Sequence, residues 1–91
     1  MMQEINYETE LVERISDFLQ KFMTSNNIDV ITADECAEIL AINNLLSNKV
    51  GPKPGFNFRE ILRQGRDKKI PLVVGASQER PNTKWYIKKA L

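Results

Sequence analysis

Leu11, Val12, Ile15, Phe18, Leu19, Phe22 and Met23 recur three and four positions apart, a spacing that predicts an amphipathic helix over residues 7–23 with one apolar stripe. Glu8, Glu10, Glu13, Asp17 and Lys21 fall largely outside the stripe. Thr24-Ser25-Asn26-Asn27 supplies a polar stop. A chain this short needs its apolar faces for a core, so the stripe reads as core before it reads as a partner surface.

Thr32 followed by Glu35 three residues later predicts a capping box, and with it a second helix that turns Cys36, Ile39 and Leu40 inward. Asp34 and Glu35 sit where the positive end of that helix favours carboxylates, which explains both without chemistry. After Asn43, a turn or cap, the apolar pair Leu45 and Leu46 predicts a short helix over residues 44–50. Gly51-Pro52-Lys53-Pro54-Gly55 must interrupt it, because two prolines and two glycines in five residues oppose both helix and ladder. The segment is too short for an interdomain linker, and the 91 residues are expected to form a single domain.

Asn57 is expected to cap a third helix reaching about residue 64, with Phe58, Ile61 and Leu62 inside and Arg59, Arg63 and Gln64 outside. Gly65 would stop it. The period then shortens. Ile70-Pro71-Leu72-Val73-Val74 reads as a strand, residues 75–83 as a polar loop, and Lys84-Trp85-Tyr86-Ile87-Lys88 as the second strand of a hairpin. Alternation puts Trp85 and Ile87 on the packed face and leaves Lys84, Tyr86 and Lys88 on the other.

Charge changes the picture more than overall composition does. With 42% apolar and 27% charged residues the chain is typical of globular proteins, and its net charge is only +1. Residues 1–48, however, hold nine Asp and Glu against two Lys and Arg, a net of −7. Residues 49–91 hold eleven Lys and Arg against three Asp and Glu, a net of +8. A basic half of this kind suits a polyanion, because each cation that neutralises a phosphate releases counterions.

Several chemistries lose their parts. No histidine is present, and the single Cys36 leaves neither a disulfide nor the usual zinc sets, so no metal or cofactor is expected. The same absence removes Ser-His and Cys-His nucleophile pairs, and no Gly-rich phosphate loop accompanies the carboxylates; an enzyme is not expected. Cys36 reads as a small buried hydrophobe. No apolar run reaches the roughly 20 residues of a membrane span, and Met1-Met2-Gln3-Glu4 has no leader character, so a cytoplasmic protein without membrane contact is expected. Phe56, Phe58, Trp85 and Tyr86 are better explained as core and turn residues than as an RNA-stacking platform.

The fold class read from these elements is mainly α with a small β-hairpin. Ile31-Thr32-Ala33-Asp34-Glu35-Cys36-Ala37-Glu38-Ile39-Leu40-Ala41-Ile42 resembles the opening helix of excisionase-like and MerR-type DNA-binding domains. Arg63-Gln64-Gly65 with Ile70-Pro71, then Lys84-Trp85-Tyr86-Ile87, resembles the end of their recognition helix and their wing. The resemblance covers about residues 31–91 and implies a winged helix-turn-helix, a helix in the major groove of double-stranded DNA and a wing beside it. It also implies a phage or mobile-element excisionase-like or transcription-regulatory factor, with recombination control as one role. Residues 43–56 depart from the pattern, so either the helix at 58–64 reads DNA or residues 44–49 do. The N-terminal helix lies outside the resemblance, as an added packing layer or an acidic surface for a protein partner. The candidate DNA contacts are Asn57, Arg59, Arg63, Gln64, Arg66, Lys68, Lys69, Arg80, Lys84 and Lys88. A protein-interaction adapter on the same scaffold is the alternative.

Overall fold

A computed structural model describes residues 6–80 and 83–90. In order come α1 (Thr9–Asn26), β1 (Val30–Thr32), α2 (Ala33–Ile42), α3 (Phe56–Arg66), β2 (Ala76–Gln78) and β3 (Trp85–Lys88). The strands form an antiparallel sheet in the order β1-β3-β2.

The stripe of α1 is core. Val12, Ile15, Leu19 and Met23 are buried and join Leu40, Phe58, Ile61, Leu62, Val73 and Ile87 in one apolar cluster. At about 1.5–3 kcal/mol for each large aliphatic side chain removed from water, this face holds α1 on the rest of the molecule. The helix is therefore an integral layer of the cluster. It also outlasts its expected stop: Thr24, Ser25 and Asn26 remain helical.

All three helices end by one device. Asn27, Asn44 and Lys68 are the residues other than glycine with positive φ among those described, at 54°, 57° and 65°. After each, the next amide reaches back five residues: Ile28 N–H to the Met23 carbonyl at 2.9 Å, Leu45 to Leu40 at 2.9 Å, and Lys69 to Gln64 at 3.0 Å. These are Schellman closures, which satisfy carbonyls left over at a helix end. The closure at Asn44 also overturns the helix expected at 44–50, since a left-handed residue at its first position turns the chain away. Ser47 and Asn48 then hold the loop through local bonds, with Asn48 Oδ1 accepting from Gly55 N–H at 2.6 Å. Leu46 still reaches the core.

The capping box of α2 is present as expected. Glu35 N–H donates to Thr32 Oγ1 at 3.2 Å, and Thr32 N–H donates to Glu35 Oε1 at 3.3 Å. Just before it, Val30–Thr32 forms a strand that the sequence pattern did not predict, with Ile31 opposite Ile87. Three residues are too few to show a period of two, and their partner lies far along the chain.

The cap of α3 is a correction. Gly55, at φ 89°, is the N-cap, and Asn57 is buried inside the helix. Gly65 does not stop the helix but lies buried within it; a Cβ there would stand 2.9 Å from Leu72 Cα, so its bareness lets the following segment cross closely.

The hairpin is shifted. Ile70-Pro71-Leu72-Val73-Val74 is not a strand; the paired segment is Ala76–Gln78, inside the stretch expected as loop, with Ser77 opposite Tyr86. Two features redirect residues 70–74. Pro71 has no N–H to give a ladder, and Val74 is claimed by α1: its N–H donates to Ser16 Oγ at 3.0 Å, and its carbonyl accepts from Gln20 Nε2 at 3.2 Å. Trp85 and Ile87 face the core and Lys84 and Lys88 face solvent, as alternation requires.

Cys36 is fully buried, and desolvation pushes its thiol from 9.0 up to about 12, with a smaller contribution from Glu35. Because the folded thiol holds its proton more tightly than the unfolded one, its stabilisation is complete below about pH 9 and is lost as pH rises towards 12. Two results are expected. Thiol labelling near neutral pH should proceed at the unfolding-limited rate, and the urea midpoint should fall above about pH 9. Rapid stoichiometric labelling of the folded protein would show that Cys36 is accessible.

Candidate nucleic-acid interface

α3 buries Phe58, Ile61, Leu62, Gln64 and Gly65, which leaves Arg59, Arg63 and Arg66, at i, i+4 and i+7, as a stripe on its outer side. β3 runs nearby with Trp85 packed inward. Two openings adjoin between these elements, and both are walled by Trp85. The larger, a groove of about 900 Å³, gathers Arg66, Lys68, Lys69 and Arg80 around Gln78 and the acidic Glu79. The smaller, about 130 Å³, brings Arg59 and Lys84 together with Thr32 and Asp34 from the start of α2.

Six of the ten candidate contacts therefore line two openings that share Trp85 as a wall. Cations drawn from helix, loop and hairpin converge there because the Schellman turn at Lys68 swings the chain sharply off the end of α3. Arg80 sits at the exposed hairpin end, where its backbone is closed by Thr83: Arg80 N–H donates to Thr83 Oγ1 at 3.2 Å, and the Thr83 hydroxyl donates to the Arg80 carbonyl. Pro81, which follows Arg80 in the sequence, lies outside the described residues, as does the segment Met1-Met2-Gln3-Glu4.

The other four candidates stand apart. Gln64, expected on the outer face, is 4% exposed, and its Nε2 donates to Glu60 Oε2 at 3.2 Å. Asn57, 6% exposed, is a structural tie: its Nδ2 donates to the Ser47 carbonyl at 3.0 Å, and its Oδ1 accepts from the Tyr7 hydroxyl at 2.5 Å. Arg63 turns along its own helix, pairs with Glu60 at 2.8 Å and lies 5.4 Å over the Phe56 ring. Lys88 is exposed on β3 but lines neither opening. Tyr7, near Glu60 and Arg63, has its hydroxyl pushed up to about 12, chiefly by burial and then by Glu60, which fits its role as a donor to Asn57.

Charge cancellation is uneven across the stripe. Arg59 Nη1 lies 2.6 Å from Asp34 Oδ1, and Arg66 Nε lies 3.3 Å from Asp67 Oδ1. Sequence reasoning took Asp34 only as a helix-start carboxylate and missed Trp85 as the shared wall, because no local signal says which residues of β3 and α2 meet α3. A further hollow of about 620 Å³, between α1 and the segment around Leu72 and Val74, is mostly apolar and holds none of the candidate cations.

Among the described residues, no group of three or more Cys, Asp and Glu is placed to hold a metal ion, and no helix is long and apolar enough to cross a membrane. In comparisons with known proteins, no family model, curated protein or solved structure matches this chain.

Proposed function

We propose that this protein binds double-stranded DNA as a winged helix-turn-helix, with α3 as the recognition helix in the major groove and the β2–β3 hairpin as the wing. The observation that carries the reading is the convergence of Arg66, Lys68, Lys69 and Arg80 on one groove between the end of α3 and the hairpin, where Glu79 is the acid in the lining and Asp67 pairs with Arg66 at its edge. A surface of this kind suits a phosphate backbone. The element order supports it: helix, strand, helix, helix and hairpin, with β1 closing the sheet against β3. The absence of helix over 44–50 favours α3 over that segment as the reader.

The tighter internal pairing of Arg59 and Arg63, at 2.6 and 2.8 Å against 3.3 Å for the more exposed Arg66 with Asp67, moves the phosphate contacts towards Arg66, Lys68, Lys69, Arg80 and Lys84. A regulatory or excisionase-like role in a mobile element is the biological setting that the sequence resemblance suggests. The test is fluorescence anisotropy with a labelled duplex of arbitrary sequence over about 50–200 mM salt. Binding should weaken steeply and linearly on a log–log plot. A protein that retains no duplex at low salt is not a DNA binder, and the adapter reading replaces this one.

A further inference from the structure

On the reading that α3 lies in the major groove, we infer that Asp34 and Arg59 act together as a reader of one G·C base pair. Arg59 is held from two sides. Its Nη1 donates to Asp34 Oδ1 at 2.6 Å, and its Nη2 reaches the Pro54 carbonyl at 3.4 Å. Gly55, at φ 89°, makes the room: a Cβ on it would collide with the Arg59 guanidinium and stand 2.9 Å from Asp34 Oδ1. Three segments, the first turn of α2, the turn before α3 and α3 itself, thus set one side chain.

That arrangement is poor for gripping phosphate. Phosphate contact rewards unneutralised charge, whereas Asp34 cancels that of Arg59 and would itself repel a phosphate. The arrangement suits a base edge. Asp34 keeps 77% of its side chain exposed and Arg59 keeps 22%, so the pair offers an acceptor and donors side by side at the wall shared with Lys84 and Trp85. Across the major groove a G·C pair shows two acceptors on guanine, N7 and O6, and then a donor, the N4 amino group of cytosine. Arginine matches the first two and a carboxylate matches the third. An A·T pair shows acceptor, donor, acceptor, and meets this pair with a clash of like groups. The cations at Lys68 and Arg80, with Arg66 more loosely paired to Asp67 beside them, supply affinity, while the tightly neutralised pair supplies discrimination.

The experiment is selection from a pool of randomised duplexes, followed by competition at the selected position, for the intact protein and for Asp34→Asn and Arg59→Ala. Both substitutions are at partly exposed side chains, and thermal melts confirm that each variant is folded. The intact protein should select a fixed G·C pair and reject A·T there by roughly ten- to a hundredfold. Each variant should bring that ratio to within a few-fold, while salt-sensitive binding to arbitrary duplex is weakened in Arg59→Ala, which leaves Asp34 unpaired, and strengthened in Asp34→Asn, which frees the charge of Arg59. Folded variants that keep the preference, or a preference lost in Arg59→Ala but kept in Asp34→Asn, overturn the paired reader while leaving DNA binding intact. Failure of the intact protein to retain any duplex overturns the functional reading on which the pair rests.

Discussion

Leu19→Ala is expected to lower the free energy of unfolding by about 2–5 kcal/mol, and to lower Tm by roughly 10–30 °C. The side chain has no exposed surface and lies in the same cluster as Phe58, Ile61 and Ile87, so its removal leaves a cavity between α1 and the layers beneath. A domain of this size has only about 5–15 kcal/mol in total. Losing a large part of it should be visible as a shifted urea midpoint at unchanged slope. Ile42→Ala is the comparison, because Ile42 is 73% exposed and its truncation should cost less than about 0.5 kcal/mol. Equal, small effects from the two variants would return α1 to the status of an appended layer that the rest of the fold does without.

The second large effect concerns the groove. Combining Arg66→Ala, Lys68→Gly and Arg80→Ala should reduce the slope of log affinity against log salt by about 0.9 for each phosphate that is no longer neutralised. If all three face phosphates, affinity near 0.1 M salt should fall on the order of a hundredfold or more. Glycine is chosen at position 68 because Lys68 holds φ at 65°, where glycine carries no steric penalty. A loss of binding then has no origin in a destabilised turn. Removing Arg14 and Lys21 from α1, away from the groove, should leave the slope as it was. An identical slope for the triple variant and the intact protein would place the polyanion elsewhere on the molecule, or nowhere.

Within the basic region, individual side chains differ in how they are engaged. Arg66, Lys68, Lys69, Arg80, Arg59 and Lys84 do surround adjoining openings, but the two arginines expected to project freely from α3 are both engaged by acids, Arg59 by Asp34 and Arg63 by Glu60. Gln64 and Asn57, both among the candidate contacts, use their amide groups inside the protein. A buried amide needs partners as much as a groove-facing one does. Its type alone does not reveal which of the two it is.

Local signals were readable wherever cause and effect lie within one turn or one strand. Thr32 and Glu35 announced the start of α2, the three-and-four spacing announced the buried face of α1, and alternation announced that Trp85 and Ile87 face inward. The total of charge in the second half was likewise fixed by residue count. Tertiary structure decided the rest, because the competing partners lie far apart in the chain. Val74 is taken from the sheet by Ser16, 58 residues away, so the hairpin moves to Ala76–Gln78. Val30–Thr32 becomes a strand only because β3 arrives beside it. Which cations stand open and which are cancelled depends on Asp34 of α2 reaching Arg59 of α3, a meeting across 25 residues that no periodicity encodes.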